Sequence, residues 1–208
     1  MTPAPRPGVV RPDLPGAELR LYPGAFPAAE AGRHFRTLRG GLDWQAAEIT
    51  IFGRRVLSPR LSAWYGDAPY TYSGLTWPAR PMPPALQEIA DAVAGLAGAR
   101  FNTVLANLYR DGADSMGWHS DDEPELGPDP VIASVVFGAE RRFLFRDRRD
   151  KSAKQEVPLG DGDVLIMGAG TQAHWQHAVP KTARRVGERI NLTFRRIVAP
   201  IGSSQEPS

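Results

Sequence analysis

After Gly98 the apolar pattern of this chain changes period, and that change narrows the fold more than any other feature. Residues 101–109, 131–137, 142–146, 163–167 and 189–197 read as strands, separated by Gly, Asp and Pro turns. Gly138-Ala139 sits where a hairpin turn is expected. Ahead of Gly98 the spacing is helical. Leu86, Ile89, Ala90, Val93 and Leu96 share one face of a helix over 84–96, with prolines before it and Gly98 after it. A second helix is expected over 28–38, with Phe35 and Leu38 on one face. Residues 47–57 read as a strand pair or finger around Phe52-Gly53, and residues 61–84 as aromatic, turn-rich text carrying Trp64, Tyr65, Tyr70, Tyr72 and Trp77. A helical start followed by an antiparallel half predicts an α+β fold with a jelly-roll (double-stranded β-helix) core.

The 208 residues suit a single domain, and 20 prolines with 21 glycines suit many short strands and turns. The expected boundaries are a poorly ordered Pro-rich segment at 1–17, one domain over 18–199 and a flexible tail at 200–208. Within the domain, 18–100 is the more helical part and 101–199 the sheet core. The longest apolar runs, such as 131–137, are too short to cross a bilayer, and the N-terminus lacks the apolar region of a secretory signal. A soluble monomer is expected, cytoplasmic, or nuclear if the source is eukaryotic.

There are no cysteines, which excludes disulfides, thiolate metal sites and a thiol nucleophile. Any transition metal must therefore be held by His and carboxylate. His119-Ser120-Asp121 offers two such ligands, because side chains two apart on a strand point the same way. The same tripeptide also fits a plain surface hydrogen bond. A third ligand from a later strand has two candidates, His174 and His177.

In the last strand, Arg189, Asn191, Thr193 and Arg195 alternate with Ile190, Leu192 and Phe194. The polar face could meet solvent, or it could line a barrel interior that takes a dianion, since Arg binds carboxylates in bidentate fashion. Asn107 and Tyr109 share a face on the strand leading to His119. Charge is uneven although the net value is only +2: residues 141–154 carry seven basic and two acidic side chains, and residues 181–196 carry six and one. Residues 111–129 carry seven acids. Such basic runs suit a polyanion or an ordinary solvated hairpin.

Together, Asn107-Leu-Tyr109, His119-Ser-Asp121-Asp122-Glu123, Ile132-Ala-Ser-Val-Val-Phe-Gly138, His174-Trp-Gln-His177 and Arg189-Ile-Asn-Leu-Thr-Phe-Arg195 resemble the AlkB family of nucleic-acid dealkylases, especially its duplex-DNA repair branch. The resemblance runs over residues 47–197. It implies iron ligation by His119, Asp121 and His177, with His174 a structural neighbour. It implies 2-oxoglutarate binding by Arg189, Asn191, Thr193 and Arg195 with Asn107 and Tyr109. Asp122 matches a carboxylate that contacts the damaged base, and Tyr70 and Tyr72 match the aromatic wall of the base pocket. Phe52-Gly53-Arg54 matches a finger that enters the base stack within a nucleotide-recognition hairpin region, and Arg60 matches a DNA-contacting arginine.

The implied activity is oxidative demethylation of 1-methyladenine or 3-methylcytosine in duplex or single-stranded DNA, with Fe(II), 2-oxoglutarate and O2. The alternatives are the same chemistry on RNA, protein or a small molecule, a non-catalytic nucleic-acid-binding module, and a cupin-like barrel without iron.

Overall fold

Sheet formation after Gly98 is realised as two facing antiparallel sheets. The structure, a computed structural model, describes residues 8–51, 54–67, 69–72 and 75–198. In chain order the elements are β1 (Leu19–Tyr22), α1 (Ala28–Gly41), β2 (Gln45–Ile51), β3 (Arg54–Gly66), β4 (Tyr70–Tyr72), β5 (Leu75–Trp77) and α2 (Pro84–Ala97). There follow β6 (Thr103–Tyr109), β7 (Met116–His119), a 3-10 turn (Pro124–Leu126), β8 (Ile132–Gly138), β9 (Arg141–Asp147), β10 (Lys154–Leu159) and β11 (Val164–Met167). A single helical turn, α3 (Thr171–His174), leads into β12 (Trp175–Val179) and β13 (Arg189–Arg195).

The larger sheet has the order β1-β11-β8-β13-β6-β3-β2, and the smaller β10-β9-β12-β7; β4 and β5 form a separate hairpin. From β6 onward the chain changes sheet after β6, β7, β8, β10, β11 and β12, which is the jelly-roll path. Gly138-Ala139 is therefore not a hairpin turn, as its sequence predicts, but the corner where the chain leaves the larger sheet. Gly138 has φ +89°, and a Cβ there would lie 2.5 Å from the Glu188 carbonyl, so glycine is required.

The larger sheet is covered on both faces. Against one face lie α1 and α2, whose Leu38, Leu86, Ile89 and Val93 pack with Phe137, Ile190, Leu192 and Phe194. Pro83 and Pro84 open α2, and Gly98, left-handed at φ 69°, closes it. The other face meets the smaller sheet through Tyr109, Val136, Phe143, Phe145 and Trp175.

This arrangement decides how β13 is used. Its three apolar side chains are fully buried under the helices, a gain of roughly 5–9 kcal/mol at about 1.5–3 kcal/mol each. That burial forces Arg189, Asn191, Thr193 and Arg195 into the space between the sheets, although buried guanidiniums cost several kcal/mol.

Two further expectations differ. Residues 8–17 are tied to the domain at three points, although most are exposed: Val10 and Leu21 exchange backbone hydrogen bonds, Leu14 is buried, and the Trp175 indole donates to the Pro15 carbonyl at 3.1 Å; residues 1–7 and the 200–208 tail lie outside the described residues. Residues 61–66 continue β3 rather than starting a turn region. Pro59 is tolerated inside that strand because the β2–β3 register slips between Ala46 and Glu48, opposite it.

Candidate active site

The smaller sheet supplies two imidazoles as neighbours. His119 ends β7, His177 lies in β12, and their Cα atoms are register partners. The ring centroids are 4.2 Å apart. Asp121, just past β7, reaches both: its Oδ1 is 4.0 Å from His119 Nε2, and its Oδ2 is 3.6 Å from His177 Nε2. One ligand atom from each residue lies within 4.8 Å of the others. His174 stands apart on α3, exposed and against Gly16.

The electrostatics suit a cation. Burial pushes the His177 imidazole down to about 3, with His119 adding to the shift, and burial also lowers His119. Both rings are neutral near pH 7 and keep a lone pair to offer. His119 Nδ1 is 2.9 Å from the Gly117 carbonyl, which places its proton there and leaves Nε2 as the ligand atom. Burial opposes ionisation of Asp121, but Arg195, His177 and His119 outweigh it, so the carboxyl stays below its usual range. Arg195 donates to Asp121 Oδ1, and the Gln172 amide oxygen accepts from the Asp121 backbone N–H at 2.9 Å. Asp121 Oδ2 is buried with no hydrogen-bond partner among the described residues. A buried carboxylate oxygen left unpaired beside two imidazole nitrogens fits a divalent ion bound by two His and one carboxylate.

A cavity opens from this group between the sheets, lined by Asn107, Tyr109, Ser134, Asn191, Thr193 and Arg195 among others. Asn107 Oδ1 accepts from Arg60 Nε at 2.8 Å and from Ser62 Oγ at 2.9 Å. Arg60 can only donate, so it fixes the amide orientation and leaves the Nδ2 hydrogens for the cavity. Asn191 is held likewise, accepting from Ser134 Oγ at 3.0 Å and donating to Thr193 Oγ1 at 3.1 Å.

Arg189 does not reach the cavity lining but stands beside Tyr109 and Asn191, which do. Its guanidinium lies 5.2 Å from the Tyr109 ring centroid and donates to Asn191 Oδ1 at 3.2 Å. Burial lowers it to about 10, so it remains a cation, and its Nε and Nη1 have no hydrogen-bond partner among the described residues. The polar end of the cavity is thus built for an anion.

The expected substrate residues are more dispersed. Asp122 is half-exposed and paired with Arg148, whose Nη1 lies 2.7 Å from its Oδ2. Arg148 also donates to the Gln172 carbonyl at 2.9 Å. Arg60, expected to touch DNA, is instead 5% exposed and engaged with Asn107 and the Ser115 carbonyl. Phe52 and Gly53 lie outside the described residues. Arg54 opens β3, and Tyr70 and Tyr72 occupy the ends of β4, opposite Trp77 and Leu75.

Sequence reasoning missed Ser62, Ser134, Gln172, Arg148 and Phe143, whose ring stacks on His177 at 5.2 Å. Only Ser134 carried a signal, since it is the lone polar residue inside the apolar text of β8.

Comparison with known proteins points to the same chemistry. The model of the 2OG-Fe(II) oxygenase superfamily matches residues 18–195. Human DNA oxidative demethylase ALKBH2 is 43% identical over 189 residues, covering 85% of this chain and 72% of its own. Human alpha-ketoglutarate-dependent dioxygenase alkB homolog 3 is 40% identical over 186 residues, covering 85% and 65%. The solved structure of OsALKBH1 has a TM-score of 0.67 at 18% identity, covering 91% of this chain and 100% of that one, and so shares the fold. With a matched superfamily model, two such relatives and a His–Asp–His group beside buried arginines, the chain belongs to the AlkB family of 2OG-Fe(II) oxygenases.

Proposed function

We propose that this Fe(II)/2-oxoglutarate-dependent dioxygenase demethylates N-methylated bases in DNA, of the 1-methyladenine and 3-methylcytosine type, and so repairs alkylation damage. The observation that carries the proposal is the convergence of His119, Asp121, His177 and Arg195 in one buried group, in a chain 43% identical to a DNA oxidative demethylase. His119, Asp121 and His177 would hold the metal. Bound there, Fe(II) supplies the O2 activation that couples conversion of 2-oxoglutarate to succinate and CO2 with hydroxylation of the N-methyl group, which leaves as formaldehyde.

The chain's own contribution is placement and exclusion of water. Arg195 holds Asp121 in orientation and offers charge to the carboxylate end of 2-oxoglutarate nearer the metal. Tyr109 and Asn107 receive the distal carboxylate, Arg189 behind Tyr109 supplies its countercharge, and Arg60 holds Asn107 donor-side inward. Phe143 packs flat on His177 and keeps that side dry. Asp122 favours a base that carries positive charge, and Tyr70 and Tyr72 provide the stacking wall. The base must leave the duplex to reach the site, and a lesion that cannot pair is easier to flip. Phe52 then occupies the gap, with Gly53 and Arg54 completing the finger.

The protein acts as a cytoplasmic monomer, or a nuclear one in a eukaryote. Among the described residues no helix is long and apolar enough to cross a membrane.

Turnover on oligonucleotides carrying one defined methylated base, as duplex and as single strand, tests the proposal. Formaldehyde release is expected from DNA and is lost in Asp121→Ala. Release from methylated RNA or peptide alone overturns the DNA assignment. No 2-oxoglutarate turnover with any of them removes the catalytic reading.

A further inference from the structure

A second group of ligand-type side chains lies on the opposite side of the larger sheet, where α1 meets α2. His34 is 1% exposed, its ring set between Phe26 and Phe137 at centroid distances of 5.5 and 5.4 Å. Its Nε2 has no hydrogen-bond partner among the described residues. That nitrogen faces Glu30 Oε1 at 3.5 Å, one turn earlier on α1, and Glu88 Oε1 at 4.0 Å on α2. Both separations are long for a hydrogen bond. The three ligand atoms nevertheless lie within 4.8 Å of one another.

These spacings fit an ion better than a direct contact. With Zn–N and Zn–O bonds of about 2.0–2.1 Å, neighbouring ligand atoms around a tetrahedral zinc stand roughly 3.4 Å apart. The imidazole is already fixed by its aromatic neighbours and by burial. The two carboxylates are half-exposed on separate helices and need move only a few tenths of an ångström to about 1 Å. Imidazole with carboxylates is the ligand chemistry of Zn(II) and its divalent neighbours, not of Mg(II) or Ca(II). Arg33 marks the same place with a positive charge, its Nη2 3.0 Å from Glu88 Oε1 and 3.9 Å from Glu30 Oε1. Its side chain is 52% exposed and can swing away.

We propose that Glu30, His34 and Glu88 form a Zn(II)-class metal site, separate from the catalytic group, that clamps α1 to α2. Water completes the coordination, and Arg33 competes with the ion for the carboxylates.

Calorimetric titration of the full-length protein with Zn(II), beside Glu30→Gln and Glu88→Gln, tests this. The unaltered protein should take up two equivalents, one at each site, and each variant one. Asp121→Ala should lose the other equivalent, which keeps failure here distinct from failure at the catalytic site. Arg33→Gln should bind the clamp equivalent roughly fivefold tighter, because a half-exposed competing ion pair is removed. Zn(II) should also raise the Tm of the unaltered protein more than that of either Glu variant. Equal stoichiometry in the unaltered protein and both Glu variants overturns the proposal and leaves the cluster as an ion-pair clamp only. The two variants are independent, so a folding failure in one leaves the other to decide.

Discussion

Replacing Arg189 by Met tests whether the buried cation is there for a ligand or for the fold. Arg189 is fully buried, Nε and Nη1 have no partner among the described residues, and Nη2 donates to Asn191 Oδ1. Asn191 Oδ1 keeps its bond from Ser134 after the change, so that acceptor is not orphaned. Replacing a buried ionic group by an apolar one of similar volume is neutral or stabilising by about 1–4 kcal/mol. Loss of the Tyr109 ring contact offsets up to about 2 kcal/mol of that. Without 2-oxoglutarate the variant should therefore melt at the same temperature as the parent or a few degrees higher.

With the co-substrate the order reverses. At a hundred times Kd, ligand stabilises the parent by about 2.7 kcal/mol. At about 2–4 °C per kcal/mol for a chain of this size, that is a Tm rise of roughly 5–11 °C. Arg189→Met should show less than about 2 °C at the same concentration. Thermal scans with Mn(II) in place of iron, with and without 2-oxoglutarate, read both numbers. A variant that loses several degrees on its own yet keeps the full ligand-induced rise would refute the reasoning, because Arg189 would then be structural.

Arg148→Ala should alter stability by under about 1 kcal/mol, since the Arg148–Asp122 pair is 40% and 50% exposed, while raising KM for methylated oligonucleotide more than it lowers kcat. Unchanged KM would separate Asp122 from base recognition. Gly138→Ala should cost roughly 1–3 kcal/mol in urea unfolding, from the positive φ and the approach to Glu188 and Phe35; a loss below about 0.5 kcal/mol would show that the corner relaxes freely. Phe52→Ala should reduce turnover on duplex DNA more than on single strands, and equal losses would count against a base-stack finger.

The parts of the fold that the sequence made legible are those where packing and local pattern agree. α2 has an apolar stripe, prolines at its start and glycine at its end, so every local signal points one way. β13 was legible because one face is buried under helices and the other under a second sheet, so strict alternation survives although all seven residues are buried. Strands β1, β7, β10 and β12 were not. Each is four to six residues long. β7 is Met-Gly-Trp-His and β10 contains Pro158, and in both cases pairing with a neighbour outweighs weak local preference.

The site divides in the same way. The metal-ligand residues and the arginine strand carry their own chemistry and could be named. Gln172, Ser62 and Arg148 act only through a partner that long-range pairing brings near, and no spacing announces that. Arg60 shows the opposite failure: a charged residue in a region expected to meet DNA is drawn inward by the buried amide of Asn107.

The pairing of His119 with His177 has a consequence for assembly of the molecule. β7 is the outermost strand of the smaller sheet, four residues long, and its register with β12 already shifts between His177 and Val179. A slip of one residue would turn one imidazole to the far side of the sheet and leave no chelate. Metal uptake therefore proofreads the alignment of that edge, and an ion shared by both rings rivets a strand otherwise free to pair with another chain. Chelators should consequently do more than silence the enzyme: they should loosen this border first and make the protein prone to self-association.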